Sequence, residues 1–209
     1  MIIAIDGPAA SGKGTIARAL AGHHRLPHLD TGLLYRGVGA AALAGGTGFD
    51  DIPALAALAA GLDLAALDEE ALKAGPVGEA ASRVAAVPEV RAALLKLQRD
   101  FARQPGGAVL DGRDIGTVIA PEAEVKIFVT ATPQARAERR FNELLKRGEA
   151  VTFDQVLDDI RRRDARDSGR AAAPLVQAPD AITLDNTGLD RDASIARALA
   201  IVAGRIGRN

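Results

Sequence analysis

The chain of 209 residues contains no cysteine and no tryptophan, and only one methionine. Without thiols there is no disulfide framework and no thiolate zinc site. The three histidines, His23, His24 and His28, lack the i, i+4 spacing and the carboxylate neighbours of a helical zinc site, so surface or loop positions are expected for them. Net charge is almost absent: the formal value is −1 and the pI about 6.3, which excludes the global basic surface of a nucleic-acid binder. No hydrophobic run is long enough for a bilayer, because the alanine-rich stretch from Ala40 to Leu67 is broken by Gly45-Gly46, Pro53 and several aspartates. Met1 to Ile5 offers neither a basic n-region nor a long apolar h-region. A signal peptide is therefore not expected, and a cytoplasmic location is the default. Low Met and Trp beside abundant Ala, Arg and Gly reflects a GC-rich genome and says nothing about chemistry.

About half the residues are hydrophobic and a quarter charged, ordinary for a globular protein with one sizeable core. Ile2 to Ile5 is a short apolar run, read as a buried parallel strand. Further strands are expected at Pro27–Leu29, Ala108–Leu110, Val125–Val129 and Ile182–Leu184. Helical patterns fill the gaps: Lys13–Ala21, Leu33–Leu43, one or two short helices within Ile52–Leu72, Ala80–Ala86, and a helix that opens on Pro88. Thr132 before Pro133, and Thr152 with Gln155, are N-terminal capping signals for two more helices. A last amphipathic helix runs from about Arg191 to Ile206. Strands alternating with helices imply an α/β fold, a parallel sheet of about five strands with right-handed crossovers. Two largely helical excursions, residues 36–104 and 135–170, interrupt one domain spanning 1–209.

The strongest motif is Gly7-Pro8-Ala9-Ala10-Ser11-Gly12-Lys13-Gly14-Thr15, placed between the first strand and the first helix. Glycines let successive backbone N–H groups converge on an anion, and the following helix adds the positive end of its dipole. Lys13 supplies a mobile charge for the β- and γ-phosphates of ATP. The hydroxyl that meets Mg²⁺ normally follows the lysine directly; here Gly14 intervenes and Thr15 comes next. Asp111, at the end of a strand, suits either a contact to Mg²⁺ through water or an N-cap or turn role.

A phosphate loop names the donor and leaves the acceptor open. Three further segments narrow it: Leu29-Asp30-Thr31-Gly32-Leu33-Leu34-Tyr35-Arg36, Asp111-Gly112-Arg113-Asp114-Ile115-Gly116-Thr117, and Arg163-Asp164-Ala165-Arg166-Asp167-Ser168-Gly169-Arg170. They resemble motifs of the bacterial cytidylate kinase family, as do Ala80-Ala81-Ser82-Arg83-Val84-Ala85 and Val90-Arg91-Ala92-Ala93-Leu94. With the phosphate loop and Pro174-Leu175 the likeness covers nearly the whole chain in order. It implies a P-loop nucleoside monophosphate kinase fold, with 36–104 as the monophosphate-binding region and 135–170 as a lid. It implies that Arg36 and Arg113 hold the CMP phosphate. Ser82, Arg91 and Asp114 read the cytosine edge, Arg163 and Asp167 contact the ribose, and Thr31 lies in the same site. Arg170, with lid arginines Arg139 and Arg140, neutralises the transferring phosphoryl group. Catalytic roles thus fall on Lys13, Arg139, Arg163 and Arg170, with Arg140 on the ATP side. The substrates implied are ATP with Mg²⁺ and CMP or dCMP, handled by a monomer without nucleic-acid or membrane partners.

One departure stands out. The family usually carries a β-rich insertion in the monophosphate-binding region, whereas Leu62–Ser82 is short and shows no hairpin pattern. Plain helix-surface ion pairing is the competing account of Arg161, Arg162 and the Arg163/Asp167 spacing. A kinase for UMP, AMP or shikimate is the nearest rival function. A nucleotide-dependent switch is a rival of another class, disfavoured by the lack of an Asn-Lys-x-Asp guanine-reading motif.

Overall fold

The computed structural model describes residues 1–69, 71–73 and 76–207, with Lys73 described by its backbone alone. Five strands form one parallel sheet in the order β2-β3-β1-β4-β5: β1 Ile2–Asp6, β2 His28–Asp30, β3 Ala108–Gly112, β4 Val125–Thr130 and β5 Ile182–Asp185. The α/β class and the strand count agree with the expectation from sequence. The helices are α1 Lys13–His24, α2 Thr31–Ala44, α3 Ile52–Ala60, α4 Val77–Val84, α5 Pro88–Ala102, α6 Pro133–Lys146, α7 Phe153–Ser168 and α8 Arg191–Ile206.

Both faces of the sheet are covered, because side chains alternate along each strand and apolar residues occur on both faces of the central strands. Ile3 and Ile5 face α1 and α8, packing with Ile16, Leu20, Ile127, Leu184 and Val202. Ala4, Leu29 and Leu110 face the other way, into a core shared with Leu34, Val38, Leu55, Val84 and Leu94. A third, smaller cluster joins Ala137, Leu144, Val156 and Ile160 of α6 and α7 to Ala9 of the glycine-rich loop. The helical segment 135–170 is therefore packed directly onto that loop.

The local signals behave as their chemistry requires. Pro88 and Pro133 occupy first-turn positions, where a missing N–H costs nothing. Thr152 and Gln155 form a complete capping box, with Gln155 N donating to Thr152 Oγ1 at 3.3 Å and Thr152 N donating to Gln155 Oε1 at 2.9 Å. Helix α2 starts two residues earlier than the apolar pattern suggests, because the Asp30 carboxylate caps it by accepting from Gly32 N at 2.9 Å. No strand lies among the described residues of 62–82, which hold two 3₁₀ turns and the start of α4. No helix is long and apolar enough to cross a membrane among the described residues.

Order β2-β3-β1-β4-β5 puts the direction change of the chain at β1 and β3, and ligands of open α/β sheets sit beyond the carboxyl ends of strands at such a point. The loops leaving β1 and β3 are the glycine-rich loop and Arg113-Asp114.

Candidate active site

One cleft runs across that switch point. It is lined by Ala9, Ala10, Ser11, Gly12, Lys13, Gly14 and Thr15 at one end and by Ser82, Arg91, Asp114 and Tyr35 at the other. Thr31, Arg36, Asp111, Arg113, Arg140, Arg163, Asp167 and Arg170 lie along it. Residues from six separated stretches of sequence thus converge.

The loop is held in shape by close approach. Gly7 packs so near β4 that a Cβ there would lie 2.1 Å from the Val129 carbonyl oxygen, and Gly12 sits at φ +85° immediately before α1. Neither Gly7 nor Pro8 lines the cleft; the Pro8 carbonyl accepts from Lys13 Nζ at 3.2 Å. Burial, reinforced by the charge of Arg113, pulls the Lys13 ammonium down to about 7. The Ser11 hydroxyl is buried with no partner, as suits a loop that surrounds an anion. Under the loop, Asp6 accepts from the N–H groups of both Ile115 and Gly116 at 2.8 Å. Burial pushes its carboxyl up to about 6 in spite of those two donors.

At the far end Arg91, only 8% exposed, is bonded to the buried Asp114 and lies 5.6 Å from the centre of the Tyr35 ring. Burial raises the Asp114 carboxyl, and Arg91 opposes that rise. The Ser82 hydroxyl beside them is buried and unpartnered. A carboxylate, a guanidinium and a free hydroxyl at one place offer both acceptors and donors to a planar heterocycle.

Between the two ends lie the arginines. Arg36 makes no hydrogen bond or ion pair to any described residue. Arg113 donates from Nε to Asp167 Oδ2 at 2.7 Å, and Arg170 leaves Nη2 buried without a partner. Burial pushes the Asp167 carboxyl up, but the charge and hydrogen bond of Arg113 outweigh it and hold it below the usual range. Asp167 does not pair with Arg163, which instead reaches Asp159 at 3.8 Å. The surface i, i+4 account of Arg163 and Asp167 therefore fails, since Asp167 points inward. Arg161 and Arg162 do lie on a solvated face, paired with Asp158 and Asp159.

One expectation needs correction. Arg139 does not line the cleft; it donates to Asn186 Oδ1 at 3.0 Å and to Asn186 O at 2.7 Å, and Asn186 Nδ2 donates to Ser11 O at 2.9 Å. Neighbours on a helix point about 100° apart, so Arg139 and Arg140 cannot share a face, and Arg140 takes the cleft side beside Glu143. Of the histidines, expected at surface or loop positions, His23 is exposed while His24 and His28 are half-buried. His23 and His24 end α1, while His28, on β2, sits with Nε2 2.7 Å from Asp111 Oδ1. Asp111 thus caps no helix: it lies within β3, with one oxygen on His28 and the other toward Gly14.

That donor set suits a hard cation shared with phosphates. Mg²⁺ takes oxygen ligands, usually one or two carboxylates completed by phosphate and water. Asp111 and the Thr15 hydroxyl at the start of α1 supply that chemistry, and Asp30 adjoins them, its carboxyl raised by burial and by the nearby Asp111. No cluster of three or more His, Cys, Asp or Glu able to hold a metal alone occurs among the described residues.

Sequence reasoning assigned no role to Asp6, His28, Tyr35 or Arg136. Buried Arg136 joins three parts of the site: Nε donates to Ala131 O at 3.0 Å, Nη1 to Ala9 O of the loop at 3.2 Å, and the pair Nη1/Nη2 to Asp164 of α7 at 2.9 and 2.5 Å. No local pattern distinguishes it from the solvated arginines around it.

The comparisons with known proteins converge. A solved structure of an uncharacterized protein from Eubacterium ventriosum matches with TM-score 0.55 at 16% identity, over 98% of each chain, which shows a shared fold alone. A cytidylate kinase of Xanthobacter autotrophicus is 64% identical over 209 residues, 100% of both chains. One from Azorhizobium caulinodans is 62% identical over 202 residues, 97% of this chain and 98% of the relative. The cytidylate kinase family model matches residues 3–203, and with these full-length relatives it establishes that the chain belongs to the cytidylate kinase family, nucleoside monophosphate kinases that act as phosphotransferases.

Proposed function

We propose that the enzyme transfers the γ-phosphoryl group of ATP to CMP or dCMP, with the phosphate loop holding ATP and the Ser82, Arg91, Asp114 end holding the base. The observation that carries this reading is that one cleft contains both ends, with the buried Ser11 and Ser82 hydroxyls and Arg170 Nη2 without a hydrogen-bond partner among the described residues. A phosphate oxygen of CMP attacks the γ-phosphorus in line while the bond to the bridging β-oxygen breaks, giving CDP and ADP. The acceptor is already an anion near neutral pH, so no strong general base is required. Catalysis is positioning plus charge neutralisation.

Lys13 and the N–H groups of residues 9–14 take the donor phosphates. Arg36 and Arg113 grip the CMP phosphate, and Asp167 aims Arg113 while accepting from the ribose. Arginine forks match phosphate oxygens two at a time and keep their charge. Arg140, Arg163 and Arg170 face the transferring group, whereas Arg139 braces the loop from behind through Asn186. Thr15, and Asp111 through water, would hold Mg²⁺, which would supply further charge neutralisation. Segments 36–104 and 135–170 close over the cleft and exclude water, which would otherwise hydrolyse ATP. All these groups come from one chain, so a monomer suffices, and its substrates are the soluble nucleotides of the cytoplasm.

Cytosine presents an N4 amine donor and N3 and O2 acceptors. Asp114 and Ser82 accept from the amine while Arg91 donates to N3 and O2; uracil reverses the polarity at N4 and N3. Sites that pair specific polar edges reject mispaired analogues by up to about 10⁴–10⁵. ADP release measured across all nucleoside monophosphates tests this reading. The expected result is a large preference for CMP over UMP, and comparable kcat/KM for the two overturns the base assignment.

A further inference from the structure

Glu79 and Arg166 lie outside the groups assigned so far, yet they meet in a two-point ion pair between α4 and α7, next in sequence to Gly78 and Asp167, which line the cleft. Arg166 Nη1 donates to Glu79 Oε2 at 3.1 Å and Nη2 to Oε1 at 2.6 Å. They are 87 residues apart in sequence, so this bond joins the two helical excursions. Each end also suits its own helix. Glu79 is in the first turn of α4 and Arg166 in the last turn of α7, where the helix dipoles favour an anion and a cation respectively. The Arg166 hydrogen bond holds the Glu79 carboxyl below its usual range, with the charges of Arg163 and Arg162 adding to the effect.

What the pair spans matters more than its own strength. Glu79 is one helical turn before Ser82, and Arg166 is the residue before Asp167. Nearby, a Cβ at Gly78 would come 3.9 Å from Arg163 Nη1, and Arg170 Nη1 donates to Ala85 O at 3.4 Å. The α4 side carries the hydroxyl assigned to the base, and the α7 side carries the groups assigned to the sugar. We propose that Glu79 and Arg166 are positioning residues, a clamp that sets the distance between the base-reading and sugar-reading walls of the monophosphate site. The proposal rests on the CMP reading above for the meaning of those walls. It does not rest on that reading for the existence of the clamp.

A clamp that raises the population of the closed cleft lowers the apparent dissociation constant of the nucleotide bridging it, in proportion to the closed fraction. The pair is half-exposed, so the expected effect is modest: KM for CMP rises about threefold to fivefold in Glu79→Gln and in Arg166→Gln. KM for ATP and the thermal midpoint stay close to wild type. The double variant is no worse than either single one, because breaking one bond twice costs nothing more.

The sign separates a clamp from a mere field effect. Removing a negative charge near an anion site strengthens anion binding and removing a positive charge weakens it, so a field effect moves the two variants in opposite directions. A clamp moves both upward. A second measurement needs no turnover. The chain has no cysteine, so spin labels at cysteines introduced for exposed Glu89 and Arg162 report the distance between the two segments. Glu79→Gln lengthens that distance in the nucleotide-free protein, and CMP with a non-hydrolysable ATP analogue restores it. Opposite KM shifts, additive effects in the double variant, or an unchanged distance distribution overturn the proposal. A protein that closes as described yet fails to phosphorylate CMP overturns the substrate assignment and leaves the clamp standing.

Discussion

Replacing Ser82 with alanine separates a binding group from a structural one by the sign of its effect on stability. The Ser82 hydroxyl is buried, at 7% residue exposure, and has no hydrogen-bond partner among the described residues. A hydroxyl that trades water for nothing on folding costs about 1–3 kcal/mol. Removing it leaves a small void of one oxygen atom, whose cost offsets part of that gain. The folded, nucleotide-free variant is expected to be unchanged or more stable by up to about 1 kcal/mol, a rise in Tm of roughly 2–4 °C for a chain of this size. With CMP bound the account reverses. The hydroxyl then accepts from the cytosine amine, and deleting one such neutral hydrogen bond loses about 0.5–1.5 kcal/mol, a two- to tenfold fall in kcat/KM for CMP. Thermal unfolding without nucleotide and steady-state kinetics with CMP measure the two halves. A variant clearly destabilised when empty and unimpaired toward CMP would falsify the reasoning, since the hydroxyl would then belong to the scaffold.

Lys13→Ala is expected to lower turnover by roughly 10²-fold or more while the thermal midpoint holds, because a charge aimed at the transferring phosphoryl group is lost; near-normal turnover in the purified variant removes the lysine from the mechanism. Asp167→Ala deletes the ribose acceptor and also the carboxylate that aims Arg113, so both CMP and dCMP react more slowly. CMP suffers more, and the CMP-to-dCMP ratio of kcat/KM, which a charged hydrogen bond can set at about tenfold to a hundredfold, collapses toward one. An unchanged ratio shows that Asp167 does not read the sugar. Asp6 gives a pH signature, since its folded carboxyl titrates near 6 against an ordinary 3.8. Between those values the folded state holds a proton the unfolded state has released, so stability falls as pH rises through the window. The loss is at most about 3 kcal/mol, from roughly two units at 1.36 kcal/mol each. Asp6→Asn should remove that slope, and denaturant unfolding curves whose pH dependence runs parallel in variant and wild type sink the assignment.

Much of this protein is written locally. The apolar run before Asp6, the glycines and lysine of the loop, and the capping residues Thr132 and Thr152 each depend on neighbours within a turn or two. The sequence therefore fixes them without tertiary help. Order along the chain does the same for the sheet, since strands alternating with helices leave few topologies open. The residue types that converge on the cleft were also readable, through the likeness of their motifs to a known family.

Which partner each charged side chain takes was decided only in three dimensions. Sequence spacing offered Arg163 to Asp167, but the fold turns Asp167 inward to Arg113, 54 residues away. The family likeness gave Arg139 a catalytic role and Arg140 the ATP side, and the packing of α6 against the loop sent Arg139 to Asn186 and Arg140 to the cleft. His28 gave no sign of Asp111, which meets it only because β2 and β3 lie side by side. Nothing near Glu79 in the chain announces Arg166. Backbone hydrogen bonds and caps are short-range and recur with a fixed period, so a sequence displays them. An ion pair between distant segments depends on the summed packing of the whole core, and the sequence encodes that only through the fold it produces.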